Sequence, residues 1–570
     1  MPVKNYAEPV PAAVDPTSDG PARWLVAACM VGLVLHAVRY LDVVQEEAYL
    51  YFRYAENFAR GAGLVFNAGE HVEGHSSTLW ALLLGLIGKT GLAIPEAARW
   101  LGMLFAALAL VPLWRIARFF GARPFAAVLA PALLVVSPAY ALAASSGLET
   151  GLFLCLLFAA AAAYLCELQD AQFRPWWSAI WLVLLALARP EGVWIGALFF
   201  VHAGLHLVFF DKTWSLKYQH LIRLAAWALA GGLLLLLRAN YYGSFVAQVQ
   251  TMRFAGQGPL FGDFALGQIG HGWDRYLRPF LAQQVFLFGW GLLLVVAALP
   301  RLAKQSGFWL AVLLAAAGMA WSLRLGGDES PMWRLLLPVH GLAVACIAAA
   351  VFRVSTYPRS RGPGMPAPQV LRILVVVTMV VGGVNLLQVD QDWKERLDVG
   401  RVARASSFHT YEQLKGVIPP GEVIAFALDG VMPWVMIDNP VLDLSGACEP
   451  HLAAAGRRAL PQLGHADDHW QKADIDWVVR TRKPKWILVQ RAHPEFGRGP
   501  WPASTESVTD DRGRPWSVSF THPVNQLVAN HALFRLEYEL VSELQNLPEP
   551  APTFAGGASR RLFVYRRKSG

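Results

Sequence analysis

VQEEAYLYFRYAENFARGAGLVFNAGEHVEGHSSTLW, residues 44–80, follows directly on an apolar run and is far more polar than what flanks it. Glu46 and Glu47 stand side by side just past a membrane crossing. An acid pair there is expensive unless it faces water or a site, so a functional reading is the default. The spacing predicts a helix over about 44–60. Ala48, Phe52, Ala55 and Ala59 share one face, and Glu46, Tyr49 and Arg53 share another, at intervals of three and four. Gly61 and Gly63 then end it. On this reading Glu46 and Glu47 line a cavity at the outer membrane surface. The plainer alternative is a solvated acidic helix start, favoured by the helix dipole.

Composition sets the class. Of 570 residues, 55% are hydrophobic and only 16% charged, with a mean hydropathy of +0.37. A soluble globular protein carries nearer a quarter charged residues, so a polytopic membrane protein is expected. The 22 tryptophans suit rings at headgroup level. The net charge of +8 comes with no nucleic-acid-binding pattern, and in the membrane half the basic residues fall in a few short loops, an orientation signal. Five scattered cysteines form no CxxC, so neither a disulfide framework nor a zinc site is indicated. Residues 1–22, rich in Pro, Ala and Asp, read as a disordered cytoplasmic tail, and the first apolar run as a retained anchor.

Runs long enough to span lie near 23–41, 97–118, 125–144, 149–166, 176–189, 192–210, 220–238, 283–300, 307–323, 335–352 and 369–388, about eleven in all. Thr78–Gly88 is too short to cross and reads as a juxtamembrane helix on the outer face, within an outer loop over 42–96. That choice puts Arg115, Arg118, Arg123, Arg301 and Arg353 inside, as the positive-inside rule asks. It puts Glu46, Glu47, SGLET (146–150), RPEG (189–192) and RLGGDESPMWR (324–334) outside. After residue 389 the composition changes. VIAFAL (423–428), PVLDLSG (440–446), KWILVQ (485–490) and RRLFVYRR (560–567) read as short strands, and 494–515 as loop. The expected fold is therefore a polytopic α-helical membrane domain over 23–389 with a soluble extracytoplasmic α/β domain over 390–570.

The ordered set of motifs resembles a known family. Acid-pair–Ala-Tyr at 46–49, Arg-Tyr-Ala-x-Asn at 53–57, Gly-x-Gly-Leu-Val-Phe-Asn at 61–67 and Val-Glu-Gly-x-Ser-Ser-x-Leu-Trp at 72–80 come first. Ser146–Thr150, Arg189–Gly192, Gly326-Gly327-Asp328, Arg334, Leu337-Pro338, Asp429-Gly430, Pro440–Gly446 and Glu449-Pro450-His451 follow in order. This is similar to the GT-C membrane glycosyltransferases, in particular the terminal β-(1→2) arabinofuranosyltransferases of mycobacteria and their pilin-modifying relatives. The resemblance implies a GT-C fold in the bacterial inner (plasma) membrane, a polyprenyl-phosphate sugar donor, and an inverting transfer to a glycan or protein acceptor of the cell envelope. It also implies a catalytic acid in the first outer loop. That acid maps onto Glu46, with Glu47 beside it. The family usually carries an Asp pair, and Glu places its carboxylate about 1.5 Å further from the backbone.

Such a transfer needs a carboxylate to take the acceptor hydroxyl's proton and positive charge to receive the departing phosphate. Glu46 is the candidate base. Glu47 would orient it, bind donor hydroxyls or hold an ion, and repulsion between the two would raise one pKa. Arg189, Arg324 and Arg334 are the phosphate candidates, because the guanidinium fork donates bidentately. Asp328 would bind the sugar or hold one of these arginines. Tyr49, Arg53, His75, Trp80, Glu149 and Glu191 complete the candidate set, with Trp80 and Trp333 as rings for sugar faces. A divalent cation (Ca, Mg or Mn) on Glu46, Glu47 and Asp328 would suit hard oxygen ligands, although no spaced loop motif supports one. Plainer roles compete: Glu149 as a helix cap, Arg189 with Glu191 and Asp328 with Arg334 as structural ion pairs, His71 and His75 as interfacial bystanders, and Asp429, Asp443, Glu449 and His451 as turn residues. The other function class is a flippase or transporter for a lipid-linked sugar, against which the one-sided polar motifs stand.

Overall fold

A computed structural model describes residues 19–169, 177–209, 214–245, 269–270, 272–327, 333–356, 366–387, 391–427, 430–455, 457–458, 472–492, 508–509, 515–516, 523–545 and 560–569. Among them, eight helices are long and apolar enough to cross a membrane: Gly20–Tyr40, Ile94–Phe119, Thr150–Leu168, Glu191–Phe209, Val285–Leu302, Ser306–Arg324, Arg334–Ser355 and Ala367–Val384. A ninth is the pair Pro124–Val135 and Pro138–Ser145, bent by 68°. The bend falls at Pro138, which cannot donate to the preceding turn. The sequence reading of about eleven spans includes two further runs. One forms Trp177–Ala188, a helix of only 12 residues, and the other lies in the 29-residue helix Trp214–Tyr242. Thr78–Gly88 is a helix of 11 residues, about 16 Å long against about 30 Å of hydrocarbon.

The tail expected over 1–22 is shorter than its composition suggests. Residues 1–18 lie outside the described residues, but Asp19 is buried and Gly20 already begins the first helix. The reason is electrostatic: Asp19 accepts from the Arg118 guanidinium, which draws the helix start onto the bundle. Arg301 donates to the Arg353 carbonyl at 3.1 Å, and Arg123 lies over the Phe352 ring. Basic residues expected on the inner side thus meet one another. Those expected on the outer side gather at the other end, as shown below.

In the C-terminal part, five strands form one sheet: β1 (Ile424–Phe426), β2 (Val441–Asp443), β3 (Trp486–Ala492), β4 (Tyr538–Gln545) and β5 (Arg560–Arg567). The order is β2-β1-β3-β5-β4. β1 pairs parallel with β2 and β3, while β5 pairs antiparallel with β3 and β4. Four of the five are the strands that the apolar runs predict. Within the expected loop 494–515, Val508–Thr509 instead pairs with Pro515–Trp516 as a two-stranded ribbon, and most of the rest lies outside the described residues.

The predicted amphipathic helix is present as Glu46–Ala59, but both its faces are covered. Ala48, Phe52 and Ala55 are buried, as expected, and so are Tyr49 and Arg53 on the other face. The polar face is covered because the sheet part docks there. Arg53 donates Nε to Phe66 O at 2.8 Å, and one terminal nitrogen to Asn67 Oδ1 at 3.0 Å and Asn439 O at 2.8 Å. The other terminal nitrogen donates to Pro433 O and, at 3.3 Å, to Met436 O. Asn67 then binds edge strand β2 with both ends of its amide, giving Nδ2 to Val441 O and taking Val441 N, each at 2.9 Å. Replacing Arg53 by Ala strands these carbonyls, each worth about 1–3 kcal/mol when buried without a donor. The expected outcome for Arg53→Ala is a lowered thermal midpoint of the detergent-solubilised protein, with easier proteolytic release of the sheet part; an unchanged midpoint counts against this clamp.

Candidate active site

The helix Glu46–Ala59 starts without a side-chain cap, and its first turn carries Glu46 and Glu47. Their carboxylates suit the positive helix end, but they diverge. Glu46 Oε1 accepts the Gly430 N–H at 3.3 Å and lies within electrostatic reach of Arg404 on the helix Gln391–Leu414. Glu47 Oε2 pairs with Arg334 at 2.9 Å. Arg334 is presented by Trp333, a non-glycine residue at φ +55°, in the left-handed region where such residues carry strain.

Beside this pair lies a buried triad. Arg189 meets Glu149 Oε1 at 3.1 Å and Glu191 Oε1 at 3.0 Å, with the Phe153 ring beneath it. Burial pulls the Arg189 pKa down, but Glu191 and Glu149 outweigh it and raise the net value. Trp321 Nε1 donates to Glu191 at 3.3 Å. Tyr51, bonded to Ser76 Oγ at 2.7 Å, feels the charges of Glu149, Arg189 and Arg334. Its hydroxyl pKa is raised, first by burial.

The residue before the helix and the segment after it are both tied to the turn that leads into Glu149. Gln45 N donates to Ser146 O at 3.0 Å, and Trp80 Nε1 to Gly147 O at 3.1 Å. Gly147 sits at φ +83°, and a Cβ there would press within 3.2 Å of Ala48 and Phe52. From the far side, Arg238 holds Glu73 at 2.5 Å, and the Tyr242 hydroxyl, which donates to Leu64 O at 3.0 Å, is hydrogen-bonded to His75 Nε2 at 3.3 Å.

No protein-family profile matches the chain. Over 387 residues it is 26% identical to the terminal β-(1→2)-arabinofuranosyltransferase of Corynebacterium glutamicum, spanning 59% of this chain and 54% of that protein. Over 223 residues it is 31% identical to the protein of the same name from Mycobacterium tuberculosis, spanning 36% and 34%. The chain thus covers about half the length of the first curated relative and a third of the second. Among solved structures, the Archaeoglobus fulgidus oligosaccharyltransferase AglB, determined with an inhibitory peptide and a dolichol-phosphate, superposes at a TM-score of 0.53 and 12% identity over 82% of this chain and 69% of that one. This chain has the GT-C fold.

Within that GT-C frame, five of the sequence candidates converge at one end of a multi-pass bundle: Glu47, Glu149, Arg189, Glu191 and Arg334. Glu46 stands at the head of the same helix, turned toward Gly430. Arg324 ends the helix Ser306–Arg324, and Asp328 lies outside the described residues. Three candidates are placed otherwise. Arg53 is locked into the clamp on the sheet part, Tyr49 packs between Phe52 and Phe408, and Trp80 is wholly buried. Trp333 is also buried, against Phe280, so neither tryptophan offers a face to a sugar. Sequence reasoning passed over Tyr51, although it stands four residues from Glu47 on one helix face. It also passed over Ser76 and Arg404, which carry no spacing signal. Among the described residues no three acidic, His or Cys side chains are placed to hold a metal ion; Glu46 and Glu47 turn to different partners, and Asp328, the third ligand of the expected cation, lies outside them.

His75 is sealed among Tyr51, Tyr54 and Tyr242, and burial, with Arg238 next, pushes its pKa down to about 3. Unfolded, the same imidazole takes a proton near 6.5. Between those values the unfolded chain binds more protons, so stability falls as pH drops below 6.5, by about 1.4 kcal/mol per unit for this one group. Thermal midpoints measured from neutral pH into the acid range should fall less steeply for His75→Gln than for the parent; parallel curves would show that His75 is not held neutral.

Proposed function

We propose that this protein is an inverting glycosyltransferase. It moves a sugar, arabinofuranose in our reading, from a polyprenyl monophosphate to a glycan or protein acceptor on the outer face of a bacterial inner (plasma) membrane. On this reading residues 23–389, with the outer loop 42–96, are the catalytic membrane domain, and 390–570 form the extracytoplasmic domain. The observation that carries it is the convergence of Glu47, Arg334, Arg189, Glu149 and Glu191 beside Glu46 at one end of an apolar bundle. The kinship with two proteins named arabinofuranosyltransferases supports the sugar, and the dolichol-phosphate in the AglB structure supports a prenyl-phosphate donor.

The chemistry follows from the side chains. Glu46, among the exposed residues of the site, takes the proton of the acceptor hydroxyl. The acceptor oxygen forms its bond to the anomeric carbon on the face opposite the phosphate, and the C–O bond to phosphate breaks with its electron pair on the leaving oxygen. Arg334 receives that charge. Its present partner Glu47 is largely exposed, so a phosphate can replace it at modest loss. Arg189 cannot be recruited so easily, because it is buried and held on both sides by carboxylates. Its role is to fix Glu149 and Glu191. No step is routed through a metal ion.

Purified protein incubated with a prenyl-phosphoryl arabinose and a glycan acceptor should yield glycosylated product by mass spectrometry. Glu46→Gln should lower turnover about 10²–10⁴-fold, the scale of general-base loss, while the protein inserts and melts normally. Near-normal turnover in that variant removes Glu46 as the base. Arg334→Ala should cost about 10²–10³-fold in kcat, as for loss of one donor to a developing anion; an effect confined to KM would assign Arg334 to ground-state binding alone.

A further inference from the structure

Glu149 and Thr150 stand together at the head of the helix Thr150–Gln169, and each keeps one buried polar atom without a partner among the described residues. The Glu149 side chain is almost wholly enclosed, with 1% of its surface exposed. One of its oxygens is committed to Arg189 at 3.1 Å, and the other, Oε2, meets no donor. Thr150, also buried, has no partner for Oγ1. A buried carboxylate oxygen without a donor is among the least favourable arrangements in a folded chain. The helix start alone does not need it, because Arg189 already fixes the other oxygen.

The position of these two atoms matters as much as their lack of partners. Ser146, three residues before Glu149, takes the Gln45 N–H at 3.0 Å, and Gln45 directly precedes Glu46. Glu149 and Arg334 both act on Tyr51 and on Arg189. The Glu149–Thr150 pair is thus tied through Ser146 to the residue that precedes the proposed base, and Glu149 shares Arg189 with Glu191. The chemistry of the two idle oxygens is complementary to a polyol: a carboxylate oxygen accepts one hydroxyl, and a threonine hydroxyl both donates and accepts.

We propose that Glu149 Oε2 and Thr150 Oγ1 are the subsite that reads the hydroxyl groups of the donor sugar, with Arg189 as the positioning residue that holds Glu149 for the task. This rests on the transferase reading above and adds to it the residues that distinguish a glycosylated prenyl phosphate from a bare one. Buried groups built to bond a substrate hydroxyl discriminate strongly against a ligand that lacks it, because they are then left unpaired.

The test is binding, measured by calorimetry on full-length protein in nanodiscs, with farnesyl phosphate and farnesyl-phosphoryl arabinofuranose as the two probes. The parent protein should favour the glycosylated probe. Glu149→Gln and Thr150→Val, both close in shape to the parent residues, should each lose about tenfold or more of that preference, the scale of a hydrogen bond to a charged group, while affinity for farnesyl phosphate stays level. Thr150→Val keeps every ion pair of the site, so it carries the test if Glu149→Gln folds poorly. A parent that favours the sugar while both variants keep that preference overturns this subsite and leaves the transferase reading standing. A parent that binds neither probe overturns the transferase reading itself.

Discussion

A single buried guanidinium, with no carboxylate partner among the described residues, ties the membrane part of this chain to its sheet. Arg53 is satisfied by the carbonyls of Phe66, Pro433, Met436 and Asn439 and the side-chain oxygen of Asn67. Burial lowers its pKa to about 10, which still leaves it charged at neutral pH. Charge held by backbone and amide dipoles has no inexpensive alternative: three of the four carbonyls, those of Pro433, Met436 and Asn439, come from a segment 380 to 386 residues further along, and they cannot be supplied unless the sheet part is docked. The helix that carries Glu46 and Glu47 is therefore not free to tilt. Its N-terminal acids are placed by a contact two turns further along.

That constraint explains the electrostatics at the helix head. Among the described residues, three carboxylates (Glu47, Glu149, Glu191) meet two guanidiniums (Arg189, Arg334), all but Glu47 largely enclosed. In such surroundings pairing is close to obligatory, and the pairs sort themselves by burial. Arg189 takes two acids and becomes a fixed strut. Arg334, with the more exposed Glu47, remains the exchangeable partner. Two arginines that are about equally buried thus differ through the exposure of their carboxylate partners.

Much of this was readable before any coordinates. The apolar runs mark the spans, and β-branched clusters mark four strands of the sheet. The motifs expected on the outer side gather at one end, and the positive-inside argument gives those loops a common side. Other features were hidden for physical reasons. Arg53 sits on the same helical face as Glu46, which invites a catalytic reading, but periodicity reports only which residues share a face and says nothing of what covers it. The run YELVSELQ of β4 intersperses Glu and Ser among its apolar residues, so it lacks the continuous apolar signal of the others. Asp19 looks like tail by composition, and only Arg118, 99 residues away, makes it part of the bundle.

The glycines of the recognised motifs fit the same picture. A Cβ on Gly430 would strike the Glu46 carbonyl at 2.0 Å, and one on Gly74 would strike Cys448 Sγ at 2.2 Å. With Gly147 against Ala48 and Phe52, these are places where the sheet part and the bundle press on the helix Glu46–Ala59 or the loop that follows it. The motifs are hundreds of residues apart in the chain, and no local rule relates them. What relates them is close approach on several sides of one helix and its loop, to the Glu46 carbonyl at Gly430 and to side chains at Gly74 and Gly147, which a residue without a side chain permits. The ordered motif set is therefore the imprint of a packing problem around Glu46–Ala59, and the chemistry proposed for the acids at its head depends on that problem being solved from every side at once.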